Sequence, residues 1–226
     1  MPAELVAEIE EHGDIVVVNV SDTYENMIVK VIQVFVWGVR SCGSSYVVRA
    51  NDDVYLRMSD LLVHLLGVLP ARVYGGHFLE DVKVLRPGDK EKAGKLTDEQ
   101  RTKFCSVSFH QYPADVYPVF AQGNGYFLSA DLALLVGRLS EKPWLRGRWI
   151  ADDIMTALTV SSGATGASLN TMGIDTVFAP DNGACVCRES ALFYFDLSVE
   201  SIRKLHGNFL EGKGYCGTGL EMCGGR

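Results

Sequence analysis

The chain has 226 residues, of which 47% are hydrophobic and 22% charged, and its formal net charge is −7. This composition is typical of a globular chain, and without a Lys/Arg run it argues against nucleic-acid binding. No apolar stretch reaches the ~20 residues of a membrane-spanning helix, so we expect no membrane contact from this chain itself.

The first third of the sequence predicts alternating strands and helices. Residues 14–20 (DIVVVNV) are short and β-branched, which is typical of a buried strand. Apolar residues recur at helical spacing over 22–40, and Tyr46–Ala50 (YVVRA) is the next predicted strand. This strand–helix–strand pattern predicts that strands 16–20 and Tyr46–Ala50 lie side by side and parallel. A helix is predicted after Ser59.

The remainder predicts a surface loop, further strands and several helices. The loop covers 75–103, and strands are predicted at 103–112 and 123–128. Helices are predicted after Ser129, from Asp152 and after Ser198. We expect one domain over 1–211, followed by a Gly- and Cys-containing tail, 212–226, that is poorly ordered.

The cysteines leave two possibilities open. The six are Cys42, Cys105, Cys185, Cys187, Cys216 and Cys223. The last four could bind zinc, but their spacing matches no common zinc pattern. Thiols or disulfides in a C-terminal cap are therefore the favoured interpretation.

Two acidic clusters are candidates for chemistry. Asn51-Asp52-Asp53 follows a predicted strand, where carboxylates could hold Mn²⁺ or Mg²⁺ at the ligand-binding edge of a sheet. Asp152-Asp153 opens a predicted helix, where a carboxylate could act as a general base. The alternatives are an acidic turn and a helix cap, and a helix N-terminus should lower the pKa of Asp153.

A third candidate is an aromatic and Gly-rich stretch. Tyr117-Pro118 is followed by Gly123-x-Gly125-Tyr126, which could form a platform for a sugar. A plain turn between strands is an equally good interpretation.

Several blocks in order resemble one known family. They read GDI…DTYxNMxVK over 13–30, W…C…YVVRANDDV over 37–54, K…YP…YPxF…GxGYxLSxDLA over 103–133, and DDI over 152–154. Over about residues 8–160 the chain resembles the β-1,3-galactosyltransferase family, which includes β-1,3-N-acetylglucosaminyltransferases and Fringe-like enzymes.

The resemblance implies an α/β fold of the GT-A type, with a mostly parallel sheet flanked by helices. It also implies that the family's first strand, its Arg-rich nucleotide-binding segment and its membrane anchor are absent from this sequence. An open sheet edge would then be exposed, so we expect the chain alone to be only marginally stable.

The resemblance implies an inverting transfer of a hexose or N-acetylhexosamine from a UDP-sugar, in a β-1,3 linkage. The acceptor would be a glycan on a glycoprotein or glycolipid, the cofactor Mn²⁺, and the location the lumenal side of the Golgi membrane. By position, the metal ligand would be Asp53 and the general base Asp153. The donor-binding residues would be Lys30, Asn51 and Asp52, and the substrate-binding residues Gly125, Tyr126 and Asp152.

Some positions depart from the family pattern. Asn51 replaces the first acid of a triplet, Ala121 stands where a cysteine is usual, and Phe195 or Asp196 stands where the family often has a metal-binding histidine. These departures favour an alternative function, in which the chain is a non-catalytic relative that binds sugar or a partner protein.

Overall fold

The computed structural model of the chain describes residues 2–21, 23, 26–87, 106–140, 151–163, 168–178 and 187–216. Within these ranges the helices are α1 (Ala3–His12), α2 (Met27–Arg40), α3 (Met58–Leu65), α4 (Ala130–Ser140), α5 (Asp152–Gly163) and α6 (Val199–Leu210). The strands are β1 (Tyr46–Ala50), β2 (Tyr55–Leu56), β3 (Val73–Leu79), β4 (Phe120–Ser129), β5 (Asn170–Gly173), β6 (Thr176–Phe178) and β7 (Phe193–Phe195). None of these helices is long and apolar enough to cross a bilayer.

The strands form two mixed sheets, with the orders β1-β4-β3-β5 and β2-β7-β6. β4 runs antiparallel to β1 and β3, and β7 runs antiparallel to β2, whereas β3–β5 and β6–β7 are parallel. The prediction of a chain with mixed helices and strands is confirmed, but the prediction of a mostly parallel sheet is wrong for these strands. Strands β1 and β4 lie far apart in the sequence, so no local pattern reveals how they pair.

Residues 14–20 do not form the predicted strand. Val16 and Val17 are 45% and 59% exposed, and residues 16–19 line a cavity of about 610 Å³ against α2. A β-branched run becomes a strand only where a neighbour supplies hydrogen bonds, and no described strand does so here. β1, its expected partner, lies at the edge of the sheet and pairs with β4. The helix predicted to begin at residue 22 begins at Met27.

The main core lies on both faces of β4. Tyr126 and Leu128 pack against α2, α4 and α5, whereas Phe127 faces α3 and β7. This alternation follows from the two-residue period of a strand. As a result, α5 is packed across the sheet with its first residues beside the ends of β1 and β4.

Strand β3 occupies the beginning of the predicted surface loop 75–103. Gly75 and Gly76 indicated a loop, but both are buried in the strand. A Cβ at Gly75 would stand 2.0 Å from the Phe127 ring, so the glycine allows the two strands to pack closely. Residues 88–105 lie outside the described part of the chain. The described part of the predicted strand 103–112 is extended chain and a turn.

Arg86 fixes this turn to the loop before it. Its guanidinium donates to the carbonyl oxygens of Val107 and Tyr112 at 3.0 and 2.8 Å, and its ion pair with Asp115 is 3.6 Å long. The Arg86 side chain is 12% exposed. It is therefore a buried arginine whose described contacts serve the fold.

The C-terminal part packs against the second sheet. Cys187 and Cys216 form a disulfide, which confirms the cap interpretation for this pair and excludes both sulfurs from a zinc site. Tyr215 is buried, contacts the Arg57 guanidinium at 4.0 Å and stacks on Phe209 at 4.8 Å. Residues 212–216 of the predicted poorly ordered tail thus belong to the fold, and 217–226 lie outside the described residues.

Candidate active site

The end of β1, the middle of β4 and the start of α5 meet around the guanidinium of Arg49. Its Nε lies 3.2 Å from Oδ2 of Asp152, and its Nη2 donates to Oδ1 at 3.4 Å. Its Nη1 donates to the side-chain oxygen of Asn51 at 2.5 Å and to the carbonyl oxygen of Gly123. The side chains of Arg49 and Asp152 are only 13% and 9% exposed. One buried cation therefore joins three elements.

Asp152 is a partner of Arg49 inside the protein. Tyr126, fully buried on β4, donates to Oδ2 of Asp152 at 3.4 Å and shares a 3.1 Å hydrogen bond with Thr156. Burial raises the pKa of Asp152, although Arg49 and these hydrogen bonds lower it. This placement departs from the prediction that Asp152 and Tyr126 bind substrate, because their polar atoms are used within the core.

Asp153 is half-buried beside them. Its Oδ2 accepts the N–H of Gly123 and its Oδ1 the N–H of Ile154, both at 2.8 Å. Burial, followed by the charge of Asp152, raises the pKa of Asp153 to about 6 against the opposing effect of these donors and Arg49. The prediction that the helix N-terminus lowers this pKa is wrong, because desolvation outweighs it. Such a pKa suits a group that accepts a proton near neutral pH.

Gly123 is the backbone contact between β4 and the Asp153 carboxylate. Its N–H donates to Asp153, and its carbonyl accepts from Arg49. A Cβ at this position would stand 2.9 Å from Oδ2 of Asp153. Any side chain here would displace either the carboxylate or the strand, so the glycine sets how closely they approach.

The three residues predicted to bind the donor lie together. Lys30, Asn51 and Asp52 line a cavity of about 470 Å³ between α2 and the end of β1. The rest of its lining comprises Arg49 and the apolar residues Met27, Val31, Val34, Phe35, Val48 and Ala50. Arginine can only donate, so the side-chain oxygen of Asn51 is directed to Arg49. The cavity therefore combines an apolar wall with a polar rim.

Asp53 ends the same turn and carries a buried oxygen, Oδ1, without a hydrogen-bond partner among the described residues. Its backbone carbonyl accepts the N–H of Leu197 at 2.9 Å, which brings Asp196 next to it in the fold. Asp196 has a φ of 57° and accepts a 3.4 Å hydrogen bond from the side chain of Asn124. An unsatisfied buried oxygen costs roughly 1–3 kcal/mol, so this one indicates a place for a bound cation or donor.

No set of three or more His, Cys, Asp or Glu side chains within the described ranges could by itself enclose a metal ion. The carboxylates in this part of the fold belong to Asp53, to the exposed Asp52 before it, and to Asp196. Mg²⁺ and Mn²⁺ accept such a small protein contribution, because water and substrate phosphates complete their oxygen coordination. The residues present therefore fit a metal shared with a phosphate ligand.

Gly125 and Tyr117 serve packing. A Cβ at Gly125 would stand 2.4 Å from Phe193 and 3.1 Å from Phe195, so β4 and β7 touch at this point. Tyr117 is buried, with its ring edge-on to Phe120 at 6.3 Å. The space beside each residue is filled by protein. This departs from the predictions of substrate binding by Gly125 and of a sugar platform.

Sequence reasoning gave no role to Arg49 or Asn124, and it gave Gly123 a role only in the predicted sugar platform. Arg49 did carry one signal, because a basic residue in an apolar strand needs a carboxylate partner when it is buried. That partner, Asp152, is 103 positions away, so no local pattern identifies it. Gly123 acts through its backbone, which a sequence pattern does not show.

Known proteins match a large part of this chain. The family model described as Galactosyltransferase matches residues 2–156. Hydroxyproline O-galactosyltransferase GALT2 of Arabidopsis thaliana is 30% identical over 145 residues, which is 64% of this chain and 19% of that protein. Beta-1,3-galactosyltransferase 6 of Mus musculus is 32% identical over 154 residues, which is 66% of this chain and 42% of that protein.

A human relative, UDP-GalNAc:beta-1,3-N-acetylgalactosaminyltransferase 1, is 29% identical over 123 residues, covering 54% of this chain and 33% of that protein. The chain thus spans between about a fifth and two fifths of the length of these curated relatives. The matched region contains β1, β4 and the first residues of α5, which together carry Arg49, Gly123 and Asp153. Since the family model covers well over half of the sequence, the chain belongs to the β-1,3-galactosyltransferase family.

Proposed function

We propose that the chain carries the catalytic groups of a metal-dependent, inverting glycosyltransferase. It would transfer a hexose or N-acetylhexosamine from a UDP-sugar to a glycan acceptor and form a β-1,3 linkage. The family supports glycosyl transfer in general, and the relatives' names support this donor class and linkage. The observation that carries the proposal is the Asp153 carboxylate, fixed by two backbone N–H groups with a pKa raised to about 6.

In this proposal Asp153 is the general base. The acceptor hydroxyl oxygen attacks the anomeric carbon from the face opposite the UDP, so one C–O bond forms as the other breaks. Asp153 takes the hydroxyl proton, and UDP leaves with the bonding electrons. At neutral pH a carboxylate with a pKa of about 6 is mostly ionised, and it is a stronger base than an ordinary aspartate. The N–H groups of Gly123 and Ile154 keep its oxygens oriented.

The family implies Mn²⁺, which Asp53 and Asp196 would hold. The buried, unpartnered oxygen of Asp53 supports this assignment, because a carboxylate in that state needs a cation or a donor. When bound, the ion would stabilise the negative charge that develops on the leaving UDP.

The donor-binding role of Lys30, Asn51 and Asp52 remains part of the proposal. Their common cavity lies beside the turn that carries Asp53. Lys30 supplies a positive charge suited to a diphosphate, and Asp52 and Asn51 supply groups that can bond to sugar hydroxyls. The apolar wall from α2 suits the flat face of a base or a sugar.

We also propose that the chain acts in an oxidising compartment, the lumenal side of the Golgi membrane, in protein glycosylation. The family resemblance suggests this location. The Cys187–Cys216 disulfide supports it, because structural disulfides persist mainly in secretory compartments.

The second candidate is a non-catalytic relative that binds sugar or a partner protein. Asn51 and Asp196 favour it, since each changes the family's usual ligand set. Asp196 nevertheless keeps an oxygen ligand at its position, and Asn51 keeps a hydrogen bond to Arg49.

The test is a transfer assay with the 226-residue protein. UDP-galactose, UDP-N-acetylgalactosamine and UDP-N-acetylglucosamine are each incubated with a panel of glycan acceptors, with and without Mn²⁺. We expect UDP release that needs Mn²⁺ and an acceptor, and a β-1,3 product identified by NMR. A product with retained anomeric configuration would contradict the mechanism. UDP binding without transfer from any donor would favour the non-catalytic alternative.

A further inference from the structure

Arg49 combines burial with an unusually large number of contacts to the site. Its guanidinium makes a two-point contact with Asp152 and also donates to Asn51 and Gly123. These three residues belong to different elements: the start of α5, the end of β1 and the middle of β4.

Two partners of Arg49, Gly123 and Asp152, connect it to Asp153. Gly123 accepts from Arg49 with its carbonyl and donates to Asp153 with its N–H. Asp152, the other partner of Arg49, is the residue directly before Asp153 on α5. Moving the guanidinium would therefore move the Gly123 N–H that holds the Asp153 carboxylate and the residue of α5 directly before Asp153.

Stability alone is a weak reason for a buried ion pair such as Arg49–Asp152. A buried ion pair can often be replaced by apolar residues without loss of stability, because removing two charges from water offsets their attraction. Its better supported use is to specify one arrangement of the groups around it. Here that arrangement includes Asn51 in the turn on one side and Asp153 on the other.

We infer that Arg49 is a positioning residue, which fixes the Asp153 carboxylate relative to the 51–53 turn by holding Asn51, Gly123 and Asp152 at once. This inference rests on the proposed function for its effect on transfer, but its geometric part does not. The geometry requires the planar fork of arginine, since lysine keeps the charge but cannot contact three groups in one plane.

The first experiment measures geometry without any substrate. Hydrogen exchange of the Gly123 amide, followed by NMR, reports its bond to Asp153. In Arg49→Lys we expect this exchange to be at least about fivefold faster than in the wild type. The matched control is Arg86→Lys, an equally buried arginine whose described contacts lie elsewhere, and it should leave Gly123 exchange unchanged. Equal exchange in wild type and Arg49→Lys would overturn the inference.

The second experiment separates positioning from general stability. In Arg49→Lys we expect kcat to fall roughly 10–100-fold, because small displacements of reacting groups are costly. The KM for the UDP-sugar should change less than kcat, because Asn51 is the one proposed donor-binding residue that Arg49 contacts by a described hydrogen bond. The neutral pair Arg49→Met/Asp152→Asn avoids a lone buried charge, so it should fold and still show the low kcat. A kcat within twofold of wild type in either variant, or an equal loss in Arg86→Lys, would overturn the inference. If the wild type transfers no sugar, the proposed function fails, whereas the exchange result still decides the geometry.

Discussion

The two acidic clusters are built in opposite ways. Both oxygens of Asp153 accept backbone N–H groups, and Asp152 is paired with Arg49 and Tyr126. At the 51–53 turn, Asp52 is exposed and one buried oxygen of Asp53 has no partner among the described residues. In the first cluster, the protein supplies hydrogen bonds to the carboxylates. In the second, a carboxylate oxygen is left for a ligand to bind.

This difference fits the two roles that the proposed function gives to the clusters. A base must be held in place before substrate arrives, so the protein provides its hydrogen bonds in advance. A metal or diphosphate site must exchange its ligands in each cycle, so part of its coordination is left open. An Asp→Asn substitution should therefore lower kcat in one cluster and weaken UDP binding in the other.

The largest effect on activity is expected at the cluster of Asp152 and Asp153. Asp153→Asn should lower kcat about 10²–10⁴-fold, because the proton acceptor is lost. Affinity for UDP with Mn²⁺ should stay within about threefold, since the 51–53 turn is untouched. Both are measured in the transfer assay and by calorimetry. A variant within a few-fold of wild-type kcat would exclude Asp153 as the base.

The matching change at the 51–53 turn should affect the binding of UDP. Asp53→Asn should abolish the part of UDP affinity that depends on Mn²⁺, because an amide is a poor ligand for a hard cation. Without metal, the Tm should be unchanged or higher, because the substitution removes a negative charge from a group with one buried oxygen that has no partner among the described residues. Calorimetric titration of UDP with and without Mn²⁺ checks the first part. Unchanged Mn²⁺ dependence would exclude Asp53 as a ligand.

Stability should depend on pH through Asp153. Its pKa is higher in the folded state, about 6 against 3.8, so its contribution to stability is fully present below pH 3.8 and is lost as the pH rises through 6. That shift corresponds to a contribution on the order of 2–3 kcal/mol.

The measurement compares Asp153→Asn with wild type by urea unfolding. Relative to wild type, the variant should gain on the order of 2 kcal/mol in free energy of unfolding between about pH 4 and about pH 7.5. A stability difference that does not change with pH would show that Asp153 has an ordinary pKa.

The smallest effect concerns Tyr126, whose described hydrogen bonds belong to the cluster of Asp152 and Asp153. Tyr126→Phe should cost about 1 kcal/mol of stability, because it removes the hydrogen bonds to Asp152 and Thr156. Its KM for the acceptor should not change, as the ring is fully buried. Urea unfolding and acceptor kinetics test the two parts. A large rise in acceptor KM with normal stability would restore the predicted role in substrate binding.

The sequence predicted the elements better than their pairing. The helix from Asp152, the cap at Ser198 and the strand Tyr46–Ala50 are confirmed, since each depends on local chemistry. The strand at 14–20 is wrong because strands need partners that a local pattern does not reveal. The site shows the same limit: the acidic residues were identified from motifs, but Arg49 was not, because its importance arises from contacts across 103 positions.

Gly123 offers a criterion for sorting sequences. A Cβ there would stand 2.9 Å from Oδ2 of Asp153, whereas a Cβ at Gly125 would collide with Phe193. In a protein of the same fold, a side chain at the first position that displaces the Asp153 carboxylate would remove the proposed base and leave the fold in place. A side chain at the second would separate β4 from β7 and threaten folding itself. One alternate pair of glycines thus distinguishes loss of activity from loss of structure when only a sequence is known.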